Sequence, residues 1–415
     1  MPDRIWVVSE LYYPEQSATG YFLTNIAEGL ALHHPVNVIC GQPTYSARGT
    51  RAPFRQEYHG VDIFRGWSTT FDKDILFGRV MNLVTLTVSV FLIALRHFRA
   101  GDRVLVVTNP PSLPFLVSLA CALRRAHCIL LIHDVYPDVL VATSMWRRNS
   151  PPIRFLDWLN VRLYQSMEWI IVLGRDMRRL VLQKLAHNHN RISIIPNWGD
   201  VDKVVPLQKK DTRLIRELGL SEKFVIQYSG NIGRTHGLES LIDTALLLRD
   251  HSDVHFLFIG SGAKKPWLEK TVNEHGLNNV TVLPLQPRDE LCQSLNSCDV
   301  AVISFVPGMA GVSVPSRMYN ILAAGKPIIA VAEDDSELAL VVREEGIGWV
   351  VSPNQPVKIG EAVLQARNEP EILKRMGQKA REVAEKKYSK PTVMEAYRDL
   401  MEQVRRTTAV VENTT

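Results

Sequence analysis

The sequence predicts an α/β protein with two doubly wound domains, each a parallel sheet covered by helices on both faces. The length of 415 residues exceeds what one hydrophobic core usually serves. A hydrophobic content of 46% and a charged content of 22% are typical of a globular chain and exclude a disordered or fibrous one. Short apolar segments alternate with longer amphipathic ones along the chain, which indicates repeated βα units.

The first domain is predicted to cover residues 1–199. RIWVVSELYYPE at 4–15 predicts a strand and a turn, and TGYFLTNIAEGLALH at 19–33 has apolar residues at helical spacing. The later strands of this domain are predicted at VNVIC, RVLVV, CILLI, WIIV and RISII.

The second domain is predicted at 200–387, and its first segment, 200–211, is predicted to be a polar linker that Pro206 interrupts. Its strands are predicted at FVIQYSG, VHFLFIG, VTVLPLQ, DVAVISF and KPIIAVA, each with a helix after it. The segment 388–415 is predicted to be a helix and tail that pack back on the first domain. Because ligands of open parallel sheets bind outside the carboxyl ends of the strands, we expect the site in a cleft between the domains.

Basic residues are concentrated in the N-terminal half. Residues 1–200 hold 21 Lys and Arg against 15 Asp and Glu, a net charge of +6, whereas the rest holds 27 against 28, or −1. Such a surplus suits nucleic acid, a phosphorylated substrate or an anionic membrane surface, and an ordinary solvated surface can also carry it.

The cysteines and the N-terminus indicate a cytoplasmic location. Five cysteines without CxxC spacing predict core residues in a reducing compartment, and no secretory signal is visible. The most apolar segment, Val80–Leu95 between Arg79 and Arg96, has 16 residues against the roughly 20 that span a bilayer. We therefore expect a buried or interfacial helix, and peripheral association with an anionic membrane surface.

Three glycine-containing loops follow strands of the second domain and open helices, where backbone N–H groups and the helix dipole suit an anion. Their glycines and basic side chains are Gly230, Gly233, Arg234 and Gly237; Gly260, Gly262, Lys264 and Lys265; and Gly308, Gly311 and Arg317. The first loop has GxxGxxxG spacing, which is neither the dinucleotide fingerprint nor a P-loop. A glycine after a strand more often serves only the turn, but three such loops together predict a pocket for a diphosphate and its nucleoside.

Two acidic triplets, Asp72–Asp74 and Asp200–Asp202, resemble metal-binding sequences. We expect both to be solvated turns, so no metal and no other cofactor is predicted.

Seven stretches in the expected order carry a family resemblance. They are VVTNPPS (106–112), IHD (132–134), IPNW (195–198), YSGNIG followed by GLE (228–239), PLQ (284–286), VPSRMYNILAAGKPIIA (314–330) and MGQKAREVAEKKYS (376–389). The chain resembles the retaining glycosyltransferases of family 4, also called group 1, which have the GT-B fold, and within them bacterial exopolysaccharide and O-antigen enzymes of the colanic-acid fucosyltransferase type. The resemblance implies two facing Rossmann-like domains, a nucleotide-sugar donor, a lipid-linked saccharide acceptor, no nucleic-acid partner, and front-face attack without a protein nucleophile.

Several site residues are implied by this resemblance. Gly20, in the loop after the first strand, is expected to approach the donor diphosphate, and His133 to lie beside the transferred sugar. The alternative for His133 is a satisfied histidine at the end of a buried strand. Pro284, Leu285 and Gln286 match the segment that holds the nucleobase.

The loop before the Arg317 helix matches and departs from the family. Val312 and Ser313 match the loop whose amides face the sugar and the phosphate. The family usually has two glutamates eight positions apart, and here these positions are Val312 and Asn320. Asn320 can still hydrogen-bond the ribose diol, without the strength of a charged acceptor.

The first glycine loop, at 228–239, matches the family's phosphate loop and departs further from the family pattern. The family's Arg and Lys correspond here to Asn231 and His236. We expect Arg234 and Arg317 to supply the missing positive charge and to act with His133 in catalysis, with Lys265 as an additional donor-binding cation.

Two other functions are compatible with the sequence. A nucleotide-sugar epimerase of the same architecture would release epimerised nucleotide sugar without an acceptor. A non-catalytic protein that binds the membrane surface would bind no nucleotide. A dehydrogenase is disfavoured because no GxGxxG opens either domain.

Overall fold

The computed structural model describes residues 4–15, 17–43, 51–71, 76–185 and 191–412, and within them it has two sheets, of eight and six strands. Each sheet belongs to its own α/β domain, so the predicted fold class is confirmed. The acidic triplet Asp72–Asp74 lies outside the described residues.

The N-terminal domain contains eight strands and six helices among the described residues. The strands are β1 (Ile5–Val8), β2 (Val36–Cys40), β3 (Arg55–Tyr58), β4 (Val61–Arg65), β5 (Arg103–Val107), β6 (His127–Leu131), β7 (Trp169–Val172) and β8 (Ile192–Ile194). The helices are α1 (Ala18–Ala31), α2 (Leu76–His97), α3 (Leu113–Arg124), α4 (Asp138–Ala142), α5 (Pro151–Gln165) and α6 (Arg175–Leu185). The sheet order is β3-β4-β2-β1-β5-β6-β7-β8, and only the β3–β4 pair is antiparallel within the described chain.

Burial explains which strands the sequence reveals. Every residue of β1 and β5 is buried, as expected for parallel strands covered on both faces, and both are nearly continuous apolar runs. The β3 strand is polar and half exposed, and β4 alternates buried and half-buried residues over only five positions, so the β3–β4 hairpin was not predicted.

The C-terminal domain contains six strands and eight α-helices. The strands are β9 (Phe224–Asn231), β10 (Val254–Ser261), β11 (Val280–Leu283), β12 (Val300–Ser304), β13 (Ile328–Val331) and β14 (Gly348–Val351). The α-helices are α7 (Arg213–Glu217), α8 (Leu238–Leu247), α9 (Lys265–Glu274), α10 (Leu291–Leu295), α11 (Arg317–Ala323), α12 (Glu337–Glu345), α13 (Pro356–Asn368) and α14 (Pro370–Lys387), and short 3₁₀ helices lie at Lys209–Asp211 and Arg288–Glu290.

The second sheet has the order β11-β10-β9-β12-β13-β14 and is parallel throughout. Alternate residues of its strands point to opposite faces, as the pleat requires. Leu257 and Ile328 belong to the apolar cluster on one face, whereas Phe258 and Ile329 belong to the cluster on the other.

The chain crosses between the domains at two adjacent points. Gly199 and Ser389 form a parallel bridge, and the Gly199 N–H donates to the Tyr388 carbonyl over 2.9 Å. After the second crossing, α15 (Lys390–Glu412) lies against α1. Its residues Tyr397 and Met401 are buried in the core of the N-terminal domain.

The helix α2 contains the apolar segment Val80–Leu95 and extends beyond it at both ends, to a length of 22 residues. One face is buried, through Leu86, Val90 and Ala94. The opposite face exposes an apolar stripe formed by Phe77, Val80, Val84, Val88 and Leu92. Among the described helices, α2 is the one whose length and composition would allow it to cross a membrane.

Candidate active site

The glycine loops of β9 and β10 meet backbone against backbone. A Cβ atom on Gly260 would lie 1.9 Å from the Gly230 carbonyl oxygen, and one on Gly262 would lie 2.4 Å from that of Ile232. The Ile232 N–H donates to Ser261 and the Lys264 N–H to Ile232, over 2.8 and 2.9 Å. These glycines are therefore needed for the close approach of the two strand ends, because a side chain at either position would collide with the facing backbone.

Arg317 lies beside these strand ends. It begins α11, and its Nη1 donates to the Ser229 carbonyl over 3.4 Å. Its guanidinium carbon is 4.7 Å from the centroid of the Tyr228 ring, and a Cβ atom on Gly230 would lie 3.1 Å from Nη1. None of the described carboxylates forms an ion pair with Arg317, so its positive charge is uncompensated at the carboxyl end of the sheet.

His236 is the neighbour of Arg317 in this group. Burial, and then the charge of Arg317, lower the pKa of His236 well below its usual value, so the imidazole is neutral at pH 7. Its Nδ1 lies 3.2 Å from the Ser304 carbonyl oxygen, and its Nε2 lies 3.0 Å from Arg317 Nη2. A proton on Nδ1 satisfies both contacts, because Nε2 then accepts from the guanidinium.

Arg234 and Asn231 do not join this cluster. Arg234 is exposed, and no hydrogen bond or ion pair links it to another described residue. The Asn231 side chain lies between two glycines, since Cβ atoms on Gly233 and Gly262 would come within 2.7 and 2.6 Å of its amide atoms. Of the two arginines proposed to replace the family's cations, the structure places only Arg317 beside His236.

Other predicted residues of the second domain follow β10 and β11, the two outermost strands on one side of its sheet. Lys265 begins α9, and its Nζ is 3.4 Å from Glu269 of the same helix. The segment Pro284, Leu285 and Gln286 follows the edge strand β11, with Leu285 exposed and the Gln286 amide donating to the Pro284 carbonyl over 2.9 Å.

His133 lies two residues beyond the end of β6 and directly before Asp134, which contacts the second domain. Its backbone N–H donates to Thr108 Oγ1 over 3.1 Å, and its Nε2 is buried without a hydrogen-bond partner in the described chain. Burial lowers the pKa of His133 to about 4. A neutral imidazole with one unsatisfied nitrogen differs from the satisfied core histidine that was the alternative.

The loop at 312–313 contacts the segment that follows His133. Asp134 and Ser313 form an antiparallel bridge, and the Val135 N–H donates to the Val312 carbonyl over 2.9 Å. Burial raises the pKa of Asp134, and its hydrogen bond with the Ser313 side chain opposes the rise. Both predicted loop residues thus lie where the domains meet.

A buried carboxylate that the sequence did not indicate holds the same loop. Asp176, at the start of α6, is 3% exposed, and its Oδ2 accepts from the backbone N–H groups of Gly311 and Glu337 over 2.8 and 2.9 Å. Gly311 has φ +75°, a conformation that favours glycine. Arg175 adds ion pairs to Glu337 and Glu344.

Two predicted donor contacts are placed differently from expectation. Gly20 lies in the first turn of α1 rather than in a loop, and its N–H donates to the N-cap hydroxyl of Ser17 over 3.3 Å. The Asn320 amide oxygen accepts from the Asp200 N–H over 2.8 Å, so it holds the linker between the domains.

Asp200 is likewise more than a solvated turn. Its carboxylate accepts from the Tyr21 hydroxyl over 3.1 Å, and the Arg288 guanidinium lies 3.4 Å from the centroid of the Tyr21 ring. This contact joins the start of α1 to the segment after β11, across the two domains. Among the described residues, no group of three His, Cys, Asp or Glu side chains could hold a metal ion.

Comparison with known proteins gives the family. Two family models match, the Glycosyl transferase 4-like domain at residues 18–198 and the Glycosyl transferases group 1 model at residues 210–383. The probable glycosyltransferase WbjE of Pseudomonas aeruginosa is 31% identical over 369 residues, which cover 87% of this chain and 88% of that protein. The putative colanic acid biosynthesis glycosyl transferase WcaI of Escherichia coli is 26% identical over 407 residues, covering 95% and 98%.

Solved structures agree with the fold. HepE from Anabaena, crystallised in complex with UDP and glucose, superposes with a TM-score of 0.73 at 15% identity, covering 96% of this chain and 99% of that one. The chain is therefore a GT-B protein that belongs to the group 1 glycosyltransferases.

Proposed function

We propose that this enzyme transfers a sugar, a hexose or deoxyhexose, from a nucleoside diphosphate donor to a lipid-linked saccharide in the synthesis of a cell-surface polysaccharide. It acts with retention at the anomeric carbon and without a metal. The observation that carries the proposal is the uncompensated Arg317 guanidinium at the glycine-lined sheet edge. The similarity to WcaI, a putative enzyme of colanic acid biosynthesis, supports the product class, and the UDP and glucose bound to HepE support the donor class.

The negative charge that develops in the reaction explains why a cation is needed at this position. Breaking the bond between the anomeric carbon and the diphosphate leaves negative charge on the phosphate. Arg317, which lies beside the first glycine loop, is positioned in advance to stabilise that charge. Preorganised donors of this kind act without reorganisation at the moment of reaction.

His133 serves the sugar in this proposal. Because burial keeps the imidazole neutral, His133 can lie beside the transferred sugar without placing a second cation in the cleft. The nearby carboxylates of Asp134 and Asp176 are already engaged with the loop at 311–313. Their engagement supports front-face attack by the acceptor over attack by a protein carboxylate.

Peripheral attachment to the cytoplasmic face of the membrane completes the proposal. The helix α3, which packs beside α2, also exposes apolar side chains, Leu119 and Leu123. Together with the +6 charge of residues 1–200, this surface suits anionic lipid.

The test is donor binding followed by transfer. Thermal shifts with UDP, GDP, ADP and dTDP identify the nucleobase, and transfer to lipid-linked acceptors is then measured with and without EDTA. We expect a product of the donor's anomeric configuration, at a rate that EDTA leaves unchanged. Release of epimerised nucleotide sugar without acceptor would indicate an epimerase, and no response to any nucleotide would indicate a binding protein.

A further inference from the structure

A basic crevice lies at the amino ends of the strands of the C-terminal sheet, whereas the donor loops lie at the carboxyl ends. It encloses about 650 Å³ between the linker at 206–209, the turn at 324–327 and one face of α14. Asp299 and Pro327, which line it, come directly before β12 and β13, whereas the glycine loops follow the ends of β9 and β10. The crevice is thus separated from the donor edge by the length of the strands.

Lys326 forms the floor of this crevice. The residue is only 9% exposed, and burial lowers the pKa of its ammonium. Its Nζ donates one long hydrogen bond, 3.3 Å, to the Leu207 carbonyl, and no ion pair joins it to a described carboxylate. An ammonium group has three donors, so a buried one with a single neutral acceptor is under-satisfied.

The nearest carboxylate does not complete the site. Asp299 favours the charged lysine, but its Oδ2 already accepts from Lys209 Nζ and from the Val225 N–H, each over 2.7 Å. Lys209 and Asp299 therefore offset one another, and the charge of Lys326 remains.

The α14 helix supplies the other wall. A Cβ atom on Gly377 would lie 2.5 Å from the Gly325 carbonyl oxygen, so the helix touches the turn that carries Lys326. Lys374, one turn earlier on α14, lines the crevice, is exposed and has no partner among the described residues. Arg381 closes the far end, where its guanidinium donates to the Val201, Val204 and Ala323 carbonyls.

We propose that this crevice is a second ligand site, which binds a small phosphorylated anion between the buried Lys326 and the exposed Lys374. Its volume falls in the range of small-molecule sites, and phosphate oxygens accept the hydrogen bonds that the ammonium lacks. The site is independent of the donor pocket and of the acceptor.

Hydrogen exchange with inorganic pyrophosphate as the probe tests the location. We expect slower exchange at 205–212, 322–328 and 370–381 in the full chain, including in Arg317→Ala, which alters the donor edge. Protection confined to 229–240 and 311–320, or protection that Arg317→Ala abolishes everywhere, would overturn the proposal.

Charge reversal provides the second measurement. Arg317→Ala serves as the background for this measurement, because the donor site proposed above also binds a diphosphate. In that background Lys374→Glu changes an exposed side chain, so the fold is retained, and it should weaken pyrophosphate binding by roughly tenfold or more. Lys358→Glu makes the same change on an exposed position of α13 outside the crevice and should leave the affinity unchanged. Equal affinities for Arg317→Ala with and without Lys374→Glu would refute the site, and Lys326→Met adds a test of the buried lysine.

Discussion

Arg317 and His236 are in direct contact, with Nη2 of the guanidinium 3.0 Å from the imidazole Nε2. They are 81 positions apart in the chain, and α11 and the β9 loop bring them together. The family resemblance predicts a cation at position 236, and in this chain the cation beside that position comes from a different element.

Removing this arginine should weaken donor binding selectively. A charge-assisted contact to phosphate contributes about 1.5 to 3 kcal/mol, so Arg317→Ala should raise the Kd for the nucleoside diphosphate by roughly one to two orders of magnitude. The free nucleoside should lose much less. Calorimetry with both ligands measures this difference, and equal losses for the two would contradict the proposed role.

The exposed Arg234 provides the companion variant. It has no contact with Arg317, so Arg234→Ala should have a smaller effect unless the ligand itself orders the side chain. A loss equal to that of Arg317→Ala would show that both arginines reach one anion, as the sequence suggested.

His133 should make stability depend on pH in the acid range. Its pKa is about 4 in the folded state and near 6.5 when unfolded, so between these values the unfolded chain binds the additional proton. The unfolding free energy therefore falls as the pH decreases from 6.5 to 4, by at most about 1.4 kcal/mol per pH unit for this group. His133→Asn should show a shallower slope in urea denaturation across that window, and identical slopes would contradict the buried neutral state.

Apolar runs were sufficient to predict the buried central strands of both sheets, because parallel strands such as β1 and β5 are nearly uninterrupted apolar segments. The strands β3, β4 and β14, which are less buried, were not predicted. The glycine loops were also visible, since close backbone approach restricts the residue type. The contact of Asp176 with Gly311 spans 135 positions, and a single acidic residue at a helix start has many uses. Such contacts between domains depend on tertiary geometry and leave no periodic signal.

Gly199, where the chain crosses between the domains, should tolerate no side chain. A Cβ atom on Gly199 would lie 2.4 Å from the Tyr319 carbonyl oxygen, which is backbone and cannot rotate away. Gly199→Ala should therefore destabilise the protein by about 2 kcal/mol or more and displace α11.

Gly360 is the matched control for this substitution. It lies within α13, and its nearest neighbour atom would be 3.8 Å from a new Cβ. Gly360→Ala should be neutral or stabilising by ~0.5 to 1 kcal/mol. Thermal denaturation compares the two variants, and a similar effect of both would contradict the close approach of Gly199 to Tyr319.

The α2 stripe should determine membrane binding. Val84→Asp with Val88→Asp places charge on its exposed face and should abolish flotation with anionic vesicles, while Leu247→Asp, at an exposed leucine of the other domain, should not. Wild-type binding should weaken with salt. Equal binding to neutral vesicles at high salt would indicate insertion, and no binding by the wild type would refute the surface.

The return of α15 to the first domain affects how the protein folds while it is being translated. Tyr397 and Met401 complete a core whose strands, at positions 5–194, are translated well before them. During translation from the N-terminus, the first domain therefore keeps part of its apolar surface uncovered while the whole second domain is made. The domain that is synthesised first completes its folding last, after α15 has left the ribosome.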